Sequence, residues 1–568
     1  MDLVRKTVGE LLDEVALKFS EKEALVDLSQ GMRYSYKELL AMVNQTAKGF
    51  LKLGLKQGDH LALWSPNRWE WTMTQLALAK IGVVLISIDT NCKVEQLEYF
   101  LRQSDSKSLV MAQGMRGSEY MDMIHPLCPE VKEAIPGQLS CRVFPELRNI
   151  ILLSGRTFGG MFHWKEILDM GRDIPDKMLA ERQSSCREDH IVTILYTSGT
   201  TGSPKGVMST HSGIINTTLA SAENQRLTEK DRLCLSVPLF HMFGCVCVTL
   251  ASVIKGATLV IPAETFDPPK ILEAIEKERC TAIYGSPSAF IALMGDSRYR
   301  ASAMKSLRTG IMGGAQCPLE VMKKVVDEMG VREIVIGYGQ TESSSWITMT
   351  HPDDPLDLRV STVGRPLPNV EAKIIDPMSG DEVPTDAGAV GEICARGFNM
   401  KGYYKMPSAT ANAIDSGGWL HTVDLGSMDG NKYVRTAGRL KEVINKGGEA
   451  LFPTEIEEVL FRHPKILNVQ VFGVPDKELG EEVAAWINLE EGATATEGEI
   501  RQYCKERLPV SHLPRYIKFV REFPTTPLGK VQKFKMREVA TEEYDLKWAA
   551  TTSRATSPTT APKPASRT

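Results

Sequence analysis

Residues 196 to 207 read Tyr-Thr-Ser-Gly-Thr-Thr-Gly-Ser-Pro-Lys-Gly-Val and follow an apolar run. Gly199, Gly202 and Gly206 free the backbone to bend toward a ligand, while Thr197, Ser198, Thr200, Thr201 and Ser203 add hydroxyls. Successive amide N–H groups in such a loop form a concave anion site, and Lys205 adds a point charge. Phosphate binding is the chemistry this suits. A Walker loop is excluded: it needs G-x-x-x-x-G-K, and counted from Gly199 the second glycine falls on Pro204. A dinucleotide fingerprint at Gly337-Tyr338-Gly339 fails too, because its last position is Glu342, whose charge would repel a pyrophosphate. The stretch Gly337 to Glu342 instead sets an aromatic face beside a hydroxyl and a carboxylate, directly after a strand. Oxygen ligands of that kind suit Mg²⁺ on a nucleotide's phosphates.

The elements that must position these residues alternate between helix and strand. Val4, Val8, Leu11, Leu12 and Val15 fall at helical spacing. Ser35 and Glu38 form a capping box before a helix that carries Leu39, Met42, Val43, Thr46 and Phe50 on one face. "HLALW", a helix from Trp71 to Lys80, and "VVLISI" follow. After residue 205 the alternation resumes with "ATLVIP", a helix from Pro269, "TAIYGSP", "TGIMGG", a helix from Leu319 and "EIVIGYG". Such alternation predicts an α/β body of helix-covered parallel sheets whose strands end at glycine-rich turns, where open sheets bind ligands. From about Pro366 short strands separated by turns predict a small β-barrel-like subdomain. After Arg439 a compact α+β segment begins, with a second capping box at Thr454 and Glu457 and strands at "VQVFGV" and "EEVAAWI". The predicted units are an N-terminal body over 1–438, a C-terminal domain over 439–545, and a Ser/Thr/Pro-rich disordered tail over 546–568.

A net charge of −4 gives no reason to expect nucleic acid as a partner. No uninterrupted apolar run reaches the length of a membrane span, and the stretch around Leu76 to Ile88 is broken by Lys80, so no transmembrane segment is expected. The acids Asp2, Glu10, Asp13 and Glu14 argue against a targeting leader. Eleven cysteines without a C-x-x-C pair indicate reduced thiols in the cytoplasm. Oligomeric state is left open, a homodimer included.

Six motifs in order resemble the acyl-adenylate-forming, AMP-binding superfamily: Tyr196–Val207, Gly313-Gly314-Ala315, Tyr338-Gly339-Gln340-Thr341-Glu342, Trp419 to Asp424, Gly438-Arg439-Leu440-Lys441 and Pro527-Leu528-Gly529-Lys530. In texture the chain looks closest to medium-chain fatty acyl-CoA synthetases. The resemblance implies ATP and CoA as co-substrates, Mg²⁺ held through Glu342, and a C-terminal domain that turns about Lys441. It implies that Ser198 to Lys205 hold the β- and γ-phosphates and that Tyr338 lies on adenine beside Gly313–Ala315. Thr341 would contact the α-phosphate, Asp424 the ribose hydroxyls with Arg439 in support, and Lys446, Gly447 and Gly448 the CoA. Lys530 would be catalytic: a carboxylate attacking phosphorus brings two anions together, and the developing charge needs a cation. No protein nucleophile is required.

The acid slot is expected behind Pro238–Gly244, Tyr284–Ser288 and the turn after Glu342, with His241 as a carboxylate contact or gate and Trp346 as a cap. No carboxylate lies in Pro238–Thr249 to meet an amino-acid ammonium. A medium-chain fatty acid is favoured, with an aromatic or alicyclic acid as alternative. A luciferase-like adenylating oxidase and a silent nucleotide-binding protein are the readings from other classes. One departure stands out: Val423 occupies a place where many members carry glycine, so a changed backbone is expected there.

Overall fold

Two large sheets face each other across a layer of helices. The computed structural model describes residues 2–115, 117–153, 158–197, 204–315, 317–385, 388–526 and 531–546. In the nine-stranded sheet every pairing from Glu23–Asp27 through Thr258–Ile261, Arg232–Cys234, Ala282–Gly285 and Thr309–Gly313 to Glu333–Tyr338 is parallel. In the eight-stranded sheet the parallel run goes from Ile191–Thr197 through Val84–Ser87, His60–Trp64, Ser108–Ala112 and Asn149–Leu153 to Phe162–His163. Strands such as Asn149–Leu153 are buried throughout, as parallel strands covered on both faces must be.

The helix Trp69–Ile81 lies in the layer between the sheets, and all of its residues are buried. A helix without a polar face belongs inside a core. Lys80, which interrupts the apolar run, is 2% exposed and pairs with Asp13 of the helix Val8–Lys18. Asp13 also accepts from Gln183 at 2.6 Å, so the buried charge has a partner that is itself held. The box at Ser35 and Glu38 forms as expected, with Ser35 N–H donating to the Glu38 carboxylate at 2.8 Å. The box at Thr454 and Glu457 does not form. Pro453 opens that helix, so the Thr454 hydroxyl turns outward and donates to Ala437 O at 2.8 Å, while Glu457 is buried against Val471 N–H and Lys533.

Glu371–Ile375, Gly391–Arg396, Leu420–Met428 and Val434–Arg439 form an open antiparallel sheet, with no closure of its first strand on its last among the described residues. In the last unit the helices Pro453–Phe461 and Glu497–Lys505 pack on a five-stranded sheet around Ile456, Leu460, Val471 and Ile487, and the helix Lys533–Glu543 packs against Phe472 and Trp486. Leu546, the first residue of the expected tail, is buried against Phe472 and Trp486 and belongs to this unit; residues 547–568 lie outside the described residues.

Candidate active site

Glu333–Tyr338 and Thr309–Gly313 run side by side, Gly337 opposite Gly313, and end at the same edge of the sheet. The chain then reverses sharply, because Tyr338 also pairs antiparallel with Thr348. Gly339 makes the reversal possible: a Cβ there would sit 1.9 Å from the Ser345 carbonyl oxygen. Ser344 and Ser345 take φ of +55° and +121°, and Thr217 from the helix His211–Asn224 steadies both. Its hydroxyl lies 2.8 Å from Ser344 O and accepts from Ser345 Oγ at 3.1 Å. The turn thereby holds Thr341, which is buried, and Glu342, which is half-buried, at the strand end.

Two polar clusters meet at this edge. In the first, the Tyr338 phenol donates to Asp424 Oδ2 at 2.9 Å and Arg439 Nε donates to Asp424 Oδ1 at 2.9 Å. Burial and the neighbouring Asp424 charge push the Tyr338 phenol well above its usual range, so it stays protonated and can donate. Asp424 and Arg439 are cross-strand partners in the small sheet, and Gly438 before Arg439 sits at φ +127° beside a register shift. In the second cluster, Tyr403 donates to Glu342 Oε1 at 2.9 Å, and the Lys205 ammonium lies 4.6 Å over the Tyr403 ring. Met400 N–H fixes the Glu342 carbonyl at 2.7 Å.

Thr197 and Lys205, at the two ends of the glycine-rich stretch, are cross-strand partners. Ser198, Gly199, Thr200, Thr201 and Gly202 lie outside the described residues, as does Lys530. This strand pair is anchored: Tyr99 donates to Pro204 O at 2.7 Å and Tyr196 to Gln103. Gln340 caps the turn that follows it, and Gly314 and Ala315 are exposed beyond the end of Thr309–Gly313.

His241 is half-buried and its Nδ1 accepts the Phe243 N–H at 3.1 Å, so the proton of the neutral ring is on Nε2. Phe243–Leu250 is a π-helix with all its residues buried, a rare form that recurs at functional sites. Phe243 meets Trp346 edge to face at 5.6 Å and Tyr284 at 6.2 Å. Trp346 is 5% exposed and packs so close to Gly337 that a Cβ there would lie 2.8 Å from its ring.

Farther along the chain, Lys441 is exposed in the short turn Leu440–Glu442. The Lys446 ammonium pairs with Glu482, which is almost fully buried. Beside it in the same hairpin Gly447 and Gly448 are exposed, at φ +61° and +89°. Spacing did not point to Tyr403, which is 61 residues from Glu342, or to Thr217; neither carries a local signal.

A family model described as AMP-binding enzyme matches residues 12–404, and the model of its C-terminal domain matches residues 455–530. The chain belongs to the AMP-binding enzyme family. It is an AMP-forming acid–thiol ligase. It is 44% identical to the protein YngI of Bacillus subtilis (strain 168), over 96% of this chain and 99% of that one. It is 37% identical to the mitochondrial medium-chain acyl-CoA ligase ACSF2 of Danio rerio, over 96% and 90%. Among solved structures, ATP-bound MatB from Rhodopseudomonas palustris superposes with a TM-score of 0.79 at 26% identity, covering 94% of this chain and 99% of that one. Among the described residues of this AMP-binding enzyme, no helix is long and apolar enough to cross a membrane.

Proposed function

We propose that the protein joins a medium-chain fatty acid to CoA in two steps at one nucleotide site. In the first, a carboxylate oxygen of the acid attacks the α-phosphorus of ATP, and pyrophosphate leaves. In the second, the CoA thiol attacks the acyl carbonyl and gives up its proton; the thioester forms and AMP leaves. The observation that carries this reading is the meeting of Tyr338–Asp424–Arg439 with Lys205–Tyr403–Glu342 at one strand edge.

In this reading Asp424 accepts the ribose hydroxyls with Arg439 beside it, and Tyr338 lies on adenine whose edge meets Gly313–Ala315. The glycine-rich stretch from Ser198 to Lys205 holds the β- and γ-phosphates, and Thr341 contacts the α-phosphate. Glu342 fits Mg²⁺: a half-buried carboxylate is the usual protein share for an ion otherwise coordinated by phosphate and water. When bound, that ion neutralises phosphate charge. Lys530 supplies a cation where charge develops. The domain split falls at Arg439, with Lys441 as hinge, and Gly447 and Gly448 receive CoA.

The acid slot is read from the buried, uncharged helix Phe243–Leu250 and the Trp346 face, with His241 at its mouth as the carboxylate contact or gate. The medium-chain ligase among the relatives supports an alkyl chain. The ring faces of Phe243, Tyr284 and Trp346 favour an aromatic acid as the second reading. Eleven buried free thiols support a reducing, cytoplasmic setting.

The test is AMP and pyrophosphate formation from ATP–Mg²⁺ across fatty acids of graded length and benzoate-like acids, with and without CoA. Turnover is expected to require CoA and to peak at medium-chain acids. A peak at aromatic acids would replace the substrate class, and CoA-independent turnover with oxygen uptake would replace the second step.

A further inference from the structure

Val423 takes φ +63°, in the left-handed region where the Cβ of a branched side chain crowds the following carbonyl. It stands in a bulge of the small sheet. His421 pairs with Cys394 and Leu425 with Glu392, so Ile393 alone faces Thr422, Val423 and Asp424. Bulges re-aim side chains, and the one re-aimed here is Asp424.

Hydrogen bonds on both sides hold this turn. The Thr422 hydroxyl donates to Ile393 O at 2.7 Å and accepts the Asp424 N–H at 3.1 Å. The Val423 N–H donates to Glu392 Oε1 at 3.0 Å. The other oxygen of Glu392, a side chain only 9% exposed, lies 3.0 Å from His421 Nδ1. A carboxylate only accepts, so Nδ1 carries the proton. His421 Nε2 faces Asp415 at 3.8 Å, and Cys394 Sγ lies 3.7 Å from Nδ1. The imidazole is thus seated between two carboxylates, with one of them gripping the strained residue.

We propose that Glu392 and His421 are positioning residues: a carboxylate–imidazole clamp that keeps Val423 in the left-handed region and so aims Asp424 at the ribose. This rests on the reading of Asp424 as the ribose acceptor. A glycine at 423 would adopt the same φ without help; valine needs the clamp. Neither Glu392 nor His421 touches the reacting atoms, so the clamp acts on nucleotide affinity.

The experiment measures KM for ATP and kcat for acid-dependent pyrophosphate release, with AMP affinity by calorimetry and melting temperature as a fold check. Glu392→Met removes the acceptor at similar length. It is expected to raise KM for ATP and weaken AMP binding about tenfold, the scale of a lost charge-assisted hydrogen bond, with kcat within about twofold. His421→Phe is expected to do the same to a smaller extent, about threefold, and carries the test alone if Glu392→Met does not fold. In a Val423→Gly background both penalties should shrink to less than about twofold, because the strain the clamp opposes is gone. Equal penalties in the valine and glycine backgrounds would overturn the proposal, since a packing role does not depend on residue 423. Asp424→Asn separates the two readings. If it leaves AMP affinity unchanged, the ribose assignment fails and the clamp with it; if it weakens AMP binding while the clamp variants do not, the clamp alone fails.

Discussion

Asp424 holds its carboxylate between the Tyr338 phenol and the Arg439 guanidinium, two donors that a ribose would replace or join. The sequence announced all three residues through the motifs they sit in. It also announced Val423 as a departure and predicted an altered backbone; the positive φ is instead kept, at a cost of about 1–3 kcal/mol for such strain. Glu392, which grips Val423, is 31 residues away in sequence, and no spacing rule joins the two. In the proposed mechanism Lys530 is the residue on which the first half-reaction depends most. Lys530→Ala should slow acid-dependent pyrophosphate release by a factor of about 10² to 10³ and leave AMP affinity nearly unchanged. Near-wild-type release would remove it from the mechanism.

At the scale of elements, what was legible is what depends on neighbours in sequence. The Ser35–Glu38 box forms because nothing else competes for its two partners. The Thr454–Glu457 pair has the right spacing, yet Pro453 supplies the helix start and long-range partners take both side chains. The π-helix Phe243–Leu250 was unreadable, since an apolar run with Thr249 as its single polar residue shows no period. The turn Leu440–Glu442 separates the small sheet from the C-terminal unit, and Lys441 is exposed in it. A hinge there must change φ, and proline forbids that. Lys441→Pro should therefore reduce thioester formation more than adenylation when the half-reactions are assayed separately; equal loss in both would place the hinge elsewhere.

Across the whole molecule, the parallel architecture was visible in the alternation of helix and strand signals, whereas the order of strands in each sheet depends on contacts that no local pattern records. The same architecture encloses a titratable group. His211 is fully buried, its Nδ1 accepts the Val8 N–H at 3.1 Å, and its Nε2 has no partner among the described residues. Burial lowers this imidazole from 6.5 to about 3. Between those values the unfolded chain binds a proton that the folded chain refuses, so the folded state loses stability as pH falls below 6.5 and is unaffected above it. The slope is about 1.4 kcal/mol per pH unit at most. Melting temperatures from pH 7 down to pH 5 should fall less steeply in His211→Asn, whose amide oxygen accepts the same N–H and does not titrate. An unchanged slope would assign acid sensitivity to other groups.

Trp346 stands at the end of the reversal that begins at Gly339, directly after the strained pair Ser344–Ser345. One short strip of chain therefore carries Trp346, the wall of the acid slot in the proposed function, and, a few residues earlier, Thr341 and Glu342. An acid too bulky for the slot pushes on the indole, and the indole has Gly337 and Phe243 behind it. In that reading the displacement passes along the strip toward Thr341 and Glu342. Discrimination among acids then appears in turnover more than in occupancy: a poor acid binds, and misaligns the ATP it was meant to attack.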